Sequence, residues 1–302
     1  MDLIHTFLNL VAAPLTFFSL CFLMPPYLFY KAFTTIFYTI FKENVAGKVI
    51  LITGASSGIG EHLAYEYAKK GACLALVARR EGRLREVAFI ARELGSPDVM
   101  MILADVQEAA DCRRIVEETM NYFGRLDHLV NNAGISSACM LQEATDINTF
   151  RLSIFSCFVY FLYNQDTNFW GSAYTTKYAV PYLRETRGKI IVMSSSASWL
   201  PTPRMSIYNA SKAALVSFFE TLRIELSPDI HVLIVTPSFI ESELTQGKLL
   251  TKEGIMDIDQ DTRDVQVSII PVETARSCAK AIVNSACRGD KYLTEPSWFR
   301  IT

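Results

Sequence analysis

The chain has 302 residues, 50% of them hydrophobic, with a formal net charge of −2, seven cysteines and four histidines. That length and apolar content suffice for one large α/β core and a short appendage, and the near-neutral charge gives no case for a nucleic-acid partner. The cysteines are odd in number and lack a Cys-x-x-Cys pair, which points to reduced thiols in a cytosol-facing protein. His5, His62, His128 and His231 show no metal-ligand spacing, so no metal site is expected.

Residues 1–41 carry only two formally charged side chains, Asp2 and Lys31, in a run of Leu, Phe, Ala and Tyr. A cleaved signal peptide needs a positive start and a shorter apolar core, so this stretch reads as a membrane or lipid-droplet anchor ahead of a second region over 42–302. Pro14, Pro25 and Pro26 interrupt it, and the Pro-Pro pair divides it into two arms. As a helix the second arm, 27–41, extends about 22 Å, short of the roughly 30 Å of a bilayer core. A hairpin dipping into one lipid face is therefore expected, an arrangement suited to a droplet whose interior has no second aqueous side. Lys42 and Lys48 follow the segment while Asp2 precedes it, which favours a cytosolic position for the region that follows.

The apolar run Val49-Ile50-Leu51-Ile52 predicts a strand, and 61–69 a helix. Between them lies Thr53-Gly54-Ala55-Ser56-Ser57-Gly58-Ile59-Gly60, whose small residues allow backbone N–H groups and a helix N-terminus to approach a phosphate. A second strand, 73–78, ends in Arg79-Arg80, and a third, 101–104, in Asp105-Val106. The apolar run 126–130 leads into Asn131-Asn132-Ala133-Gly134, and the strand 189–193 into Ser194-Ser195-Ser196. Downstream, Tyr208-Asn209-Ala210-Ser211-Lys212 places a phenol and an ammonium four residues apart, on one face of a helix. A tyrosine pKa near 10 suits acid–base work at neutral pH only if positive charge lowers it, and a drop of roughly three pH units corresponds to about 4 kcal/mol. The segment 241–270 is charged and contains Gly247 and Gly254, reading as a mobile loop or helical lid over a substrate. A helix over 271–286, with Ala275, Ala279, Ile282, Val283 and Ala286 on its apolar face, precedes a last strand over 291–294. Alternation of strands and helices predicts a doubly wound α/β, Rossmann-type domain with a mainly parallel seven-stranded sheet.

These motifs in this order resemble the short-chain dehydrogenase/reductase family over residues 48–294. The resemblance implies that Tyr208 exchanges the proton at the substrate oxygen and that Ser195, thirteen residues upstream, hydrogen-bonds the same oxygen. It also implies that Lys212 tunes Tyr208 and holds the ribose hydroxyls, and that Asn168 completes a water-mediated proton relay. Fixed donors aimed at an oxygen that gains negative charge lower the barrier of hydride transfer to a carbonyl. Cofactor contacts are expected from Gly54, Ser56, Ser57, Gly58, Ile59 and Gly60, from Asp105 and Val106 at the adenine, and from Asn131, Asn132, Ala133 and Gly134. Ile240 and Ser242 are candidates at the carboxamide and phosphates. A carboxylate at the end of the second strand would bond an unphosphorylated ribose, whereas Arg79-Arg80 there argue for NADP(H), Arg79 standing at the specificity position and Arg80 reading also as a solvated helix start.

The proline-interrupted apolar start, the string Trp199-Leu200-Pro201-Thr202-Pro203-Arg204-Met205 and the string Tyr292-Leu293-Thr294-Glu295-Pro296-Ser297-Trp298 narrow the likeness to plant steroleosins, 11β-hydroxysteroid dehydrogenase-like proteins of oil bodies. This implies oxidation or reduction of a sterol-type substrate at a lipid droplet or the endoplasmic reticulum, with the catalytic region facing the cytosol. Three features depart from the pattern. The aromatic run 152–163 reads as an insertion ahead of the helix that carries Asn168 and, by family analogy, a homodimer contact. Ser238 replaces a glycine next to the nicotinamide, where a positive φ would strain it. The chain also stops at Thr302, where relatives carry a further tail. Two rival functions are a membrane-associated ketoacyl reductase and a droplet-surface protein that has lost turnover.

Overall fold

The computed structural model describes residues 2–40, 42–137, 166–243, 245–250, 256–258, 260, 263–264 and 271–299. The apolar run 152–163 and most of 251–270 lie outside the described residues. The chain divides into two units, Met1–Glu43 and Asn44–Thr302.

The first unit is built on α1 (Asp2–Ile40), 39 residues with Pro14, Pro25 and Pro26 inside it. This corrects the expectation of a two-armed hairpin: the helix runs through the prolines, for a length of about 58 Å. A proline removes one N–H donor and crowds one carbonyl, a local loss that leaves neighbouring turns intact. A reversal at the Pro-Pro pair would instead free several backbone groups, which is costlier in an apolar setting. Leu3–Tyr30, with a hydropathy of 2.0, is long and apolar enough to cross a membrane. Phe22 and Phe29 are 80% and 77% exposed. Thr16 donates to the Ala12 carbonyl at 2.6 Å, so its hydroxyl needs no water.

The second unit alternates β1 (Val49–Thr53), α2 (Gly58–Ala68), β2 (Cys73–Ala78), α3 (Glu81–Glu93), β3 (Val99–Leu103), α4 (Ala109–Phe123) and β4 (His128–Asn131). After the undescribed stretch come α5 (Gly171–Thr186), β5 (Lys189–Met193), α6 (Ser206–Leu226), β6 (His231–Pro237), β7 (Lys248–Leu250), β8 (Met256–Ile258), α7 (Ala275–Arg288) and β9 (Tyr292–Glu295). The main sheet has seven strands in the order β3-β2-β1-β4-β5-β6-β9, all pairs parallel. Strand order reverses between β1 and β4, and in such sheets a ligand crevice opens at that point beyond the carboxyl ends of the strands.

All residues of β1 are buried because both sheet faces are covered. Ile50 and Ile52 point to the layer formed by α2, α3 and α7, whereas Leu51 points to the layer of α4, α5 and α6. That alternation sets the register, since a slip by one residue would exchange the two faces. At the amino ends of the strands, buried Asp127 accepts from the Val49 amide at 2.9 Å and pairs with Arg125 at 2.7 Å. Its own carbonyl takes the Lys189 amide at 2.8 Å, so one residue aligns β1, β4 and β5. Between 241 and 270 the described residues include an antiparallel pair, β7 and β8, and helical residues at 260, 263 and 264; the rest of the segment read as a mobile loop or helical lid lies outside the described residues.

Candidate active site

The turn between β1 and α2 is shaped by its glycines. Gly54 and Gly58 take φ of +66° and +59°, conformations that side chains disfavour. At Gly60 a Cβ would lie 2.3 Å from the Gly54 carbonyl oxygen and 2.4 Å from Asn132 Nδ2, so only glycine lets α2 start this close. Asn132 holds the turn from the far side, donating to the Thr53 and Gly54 carbonyls at 3.0 and 3.1 Å. The Thr53 hydroxyl accepts from the amides of Asn132 and Ala133 at 3.0 and 3.1 Å. The result is a rigid cradle at a helix N-terminus, which suits a phosphate.

A cleft of about 500 Å³ runs from this cradle across the carboxyl ends of β1, β2, β4, β5 and β6. At its inner end Tyr208 and Lys212 lie on α6, and Ser195 follows β5; they are 9%, 4% and 9% exposed. The Lys212 ammonium donates to the Met193 carbonyl at 2.9 Å and sits 5.8 Å from the Tyr208 ring centre. Burial pulls the Lys212 pKa down to about 8. Burial raises that of Tyr208, and the hydrogen bond with Ser195 opposes the rise. The Ser195 hydroxyl also accepts from the Ala197 amide at 3.2 Å and faces the Pro237 carbonyl at 3.3 Å. An acid–base pair this dry is coupled, since charge on one group favours charge on the other.

At the outer end Arg79 pairs with Asp105 at 3.3 Å. Arg80 crosses the glycine turn, donating to Ser57 Oγ at 2.7 Å, Ser56 Oγ at 3.3 Å and Glu243 at 2.6 Å. Both arginines and both serines line the cleft, so the residues present fit a phosphorylated dinucleotide. Arg80 stands exposed at the N-cap of α3, a solvated helix start, and its side chain also reaches across the cleft.

Of the residues expected at the site, Gly54, Ser56, Ser57, Gly58, Ile59, Arg79, Arg80, Asp105, Val106, Asn132, Ala133, Gly134, Ser195, Tyr208, Lys212, Ile240 and Ser242 line the cleft, whereas Gly60, Asn131 and Asn168 stand behind it. Asn131 donates to Thr176 at 2.8 Å. Asn168, fully buried, accepts from the Ile135 amide at 2.9 Å and donates to the Ile135 carbonyl and to Ser211, each at 3.0 Å. Its side chain ties the β4 loop to α6. Ser238 is absent from the residues with positive φ, so the expected strain does not arise there.

Several cleft residues make contacts that the motifs do not announce. Ser194, beside Ser195, donates to the Lys212 carbonyl at 2.9 Å and fixes α6 against β5. Glu243 and Lys248 reach the arginine end from a segment more than 160 residues downstream. Burial disfavours the Glu243 carboxylate, but hydrogen bonds from Lys248 and Arg80 outweigh it and hold the carboxyl below its usual range. No local pattern announces such pairs, because they depend on how distant loops meet.

Residues 48–253 match the short chain dehydrogenase family. The whole chain is 61% identical to 11-beta-hydroxysteroid dehydrogenase A of Sesamum indicum and 60% identical to 11-beta-hydroxysteroid dehydrogenase 1A of Arabidopsis thaliana, covering 83% of each. It is 46% identical to an 11-beta-hydroxysteroid dehydrogenase of Pinus massoniana, covering 82% of it. Among solved structures, a short chain dehydrogenase/reductase of Burkholderia phymatum in complex with NAD superposes with a TM-score of 0.70 at 23% identity, over 83% of this chain and 89% of that one. An alcohol dehydrogenase of Thermococcus sibiricus complexed with 5-hydroxy-NADP gives 0.66 at 24% identity, over 84% and 98%. The sheet order, the glycine cradle and the close full-length relatives lead to one conclusion: the chain belongs to the short chain dehydrogenase family of oxidoreductases.

Proposed function

We propose that this oxidoreductase uses NADP(H) to interconvert a hydroxyl and a ketone on a steroid-type lipid, held by α1 at the endoplasmic reticulum or a lipid droplet with its α/β unit in the cytosol. The observation that carries the reading is the buried Tyr208, Lys212 and Ser195 at one end of a cleft whose other end presents Arg79 and Arg80. The relatives named for hydroxysteroid dehydrogenation support the substrate class, and the apolar α1 supports the anchor.

When bound, the nicotinamide supplies or accepts the hydride. Tyr208 gives its hydroxyl proton to the substrate oxygen as that oxygen gains negative charge, and takes it back in the reverse direction. Lys212 keeps its ammonium below about pH 8, and that nearby charge favours the phenolate left on Tyr208. Ser195, beside Tyr208, donates toward the same oxygen by turning its single hydroxyl proton away from the Pro237 carbonyl, while the Ala197 amide keeps the hydroxyl oxygen in place. Asn168 acts as a positioning residue through Ile135 and Ser211. Gly54, Gly58 and the N-terminus of α2 would hold the pyrophosphate, and the arginines would hold the 2′-phosphate.

The test is NADPH oxidation by the full chain in detergent micelles with a panel of steroid ketones and, in parallel, acyl ketones. Turnover of the steroid ketones that Tyr208→Phe lowers by about a thousandfold supports the reading. Turnover confined to acyl ketones would move the enzyme to lipid synthesis, and cofactor binding without turnover of either panel would leave a droplet-surface role.

A further inference from the structure

The outer end of the cleft contains an anion that belongs to the protein. Arg80 extends over the glycine turn and takes up the Ser57 hydroxyl at 2.7 Å, leaving Ser57 without a capping bond to α2. Its guanidinium also holds Glu243 Oε1 at 2.6 Å, while Glu243 Oε2 accepts from Lys248 Nζ at 2.7 Å. One carboxylate is thus clamped between two cations, at the mouth of a helix N-terminus and beside two serine hydroxyls, all within the nucleotide cleft. Two cations against one carboxylate leave a charge of about +1, which a dianionic phosphate complements better than a carboxylate does.

The turn that carries Glu243 is braced. The Ser242 amide donates to Thr245 Oγ1 at 2.9 Å, and that hydroxyl donates back to the Ile240 carbonyl at 3.0 Å. Ile240 and Ser242 line the same cleft, so the carboxylate is delivered by a segment that also borders the cofactor. Arg80, Lys248 and Glu243 are 42%, 38% and 35% exposed, open enough for the ion pairs to exchange partners. Arg79 is occupied separately by Asp105.

We propose that Glu243 is a built-in competitor for the cofactor's 2′-phosphate: it closes the Arg80 anion site in the free protein and withdraws onto Lys248 when NADP(H) binds. This rests on the NADP(H) reading above. A 2′-phosphate must take Arg80 from Glu243 and then lie near a carboxylate of like charge, whereas a 2′-hydroxyl contests neither. Glu243 therefore sets the margin by which one nucleotide is preferred over the other, and Lys248 provides the position to which it retreats.

The experiment measures dissociation constants of NADPH and NADH for the full chain in detergent micelles by fluorescence titration, without substrate. Glu243→Gln tightens NADPH about fivefold or more and leaves NADH within about twofold, the scale of removing one half-exposed ion pair together with a like-charge contact. Lys248→Met weakens NADPH, because Glu243 loses its retreat, and the double variant binds as Glu243→Gln alone. Unchanged or weaker NADPH binding in Glu243→Gln overturns the proposal, as does weaker NADH binding, which would make Glu243 a ribose ligand. A double variant as weak as Lys248→Met would make Lys248 a direct phosphate ligand and overturn the withdrawal. Arg80→Ala separates the two layers. If it weakens NADPH while Glu243→Gln has no effect, only the competitor fails. If wild type prefers NADH and Arg80→Ala changes neither nucleotide, the NADP(H) reading fails and the competitor with it.

Discussion

Replacing Lys212 by methionine should stabilise the cofactor-free protein while abolishing its chemistry. The ammonium is 4% exposed and has one hydrogen-bond acceptor, the Met193 carbonyl at 2.9 Å. Its pKa falls from 10.5 to about 8 through burial. At roughly 1.4 kcal/mol per pH unit, holding the charged form there costs about 3 kcal/mol. Below about pH 8 the group is charged in both folded and unfolded chains and the penalty is complete. Between there and pH 10.5 the unfolded chain binds more protons, so the stability contribution rises with pH through that window. Methionine fills a similar volume, removes the penalty and leaves the Met193 carbonyl unpaired, a loss of about 1 to 2 kcal/mol. The net expectation at pH 7 is a gain of about 1 to 2 kcal/mol that shrinks to nothing between about pH 9 and 10 and reverses above that. Denaturant unfolding of both proteins at a series of pH values measures it. A Lys212→Met variant less stable than wild type at pH 7, with the difference independent of pH, would refute the claim that this charge is buried against its preference.

Three further perturbations follow from the geometry. Gly60→Ala puts a methyl 2.3 Å from the Gly54 carbonyl oxygen, so the cradle must open and NADPH affinity should fall about tenfold or more in a titration. Asp127→Ala leaves the buried Val49 amide and one face of Arg125 without their acceptor, and should lower unfolding free energy by about 2 to 4 kcal/mol, with Asp127→Asn in between. Deleting residues 1–43 should release the protein from membranes on fractionation while leaving its far-ultraviolet dichroism per residue that of the α/β unit, since the two units are compact separately; retention in the membrane fraction would move the anchor elsewhere.

Much of the fold was legible because its signals are local. Strands such as β1 and β5 are continuous apolar runs bounded by turn residues, which parallel strands covered on both faces require. The glycine turn and the Tyr208–Lys212 spacing were legible for a different reason: cofactor approach and proton transfer restrict which residue types work there. What escaped depends on non-local balance. The prolines of α1 signalled a reversal, yet in an apolar segment a continuous helix keeps more backbone groups paired. Within the segment that contains Gly247 and Gly254, the pairing of Lys248 with Ile258 in a short ribbon has no local signal in the sequence. The side-chain partners of Asn168, Ile135 and Ser211, are contacts that sequence spacing does not reveal. Arg80 and Glu243 meet only because β2 and the loop after β6 end on the same side of the sheet.

The most direct test of the account compares NADPH oxidation by the full-length wild type and Tyr208→Phe with a steroid ketone, each with its NADPH dissociation constant measured alongside. The account predicts turnover in wild type, a loss of about a thousandfold in the variant and the same nucleotide affinity in both. Turnover that survives the loss of the Tyr208 hydroxyl, with affinity unchanged, would contradict it.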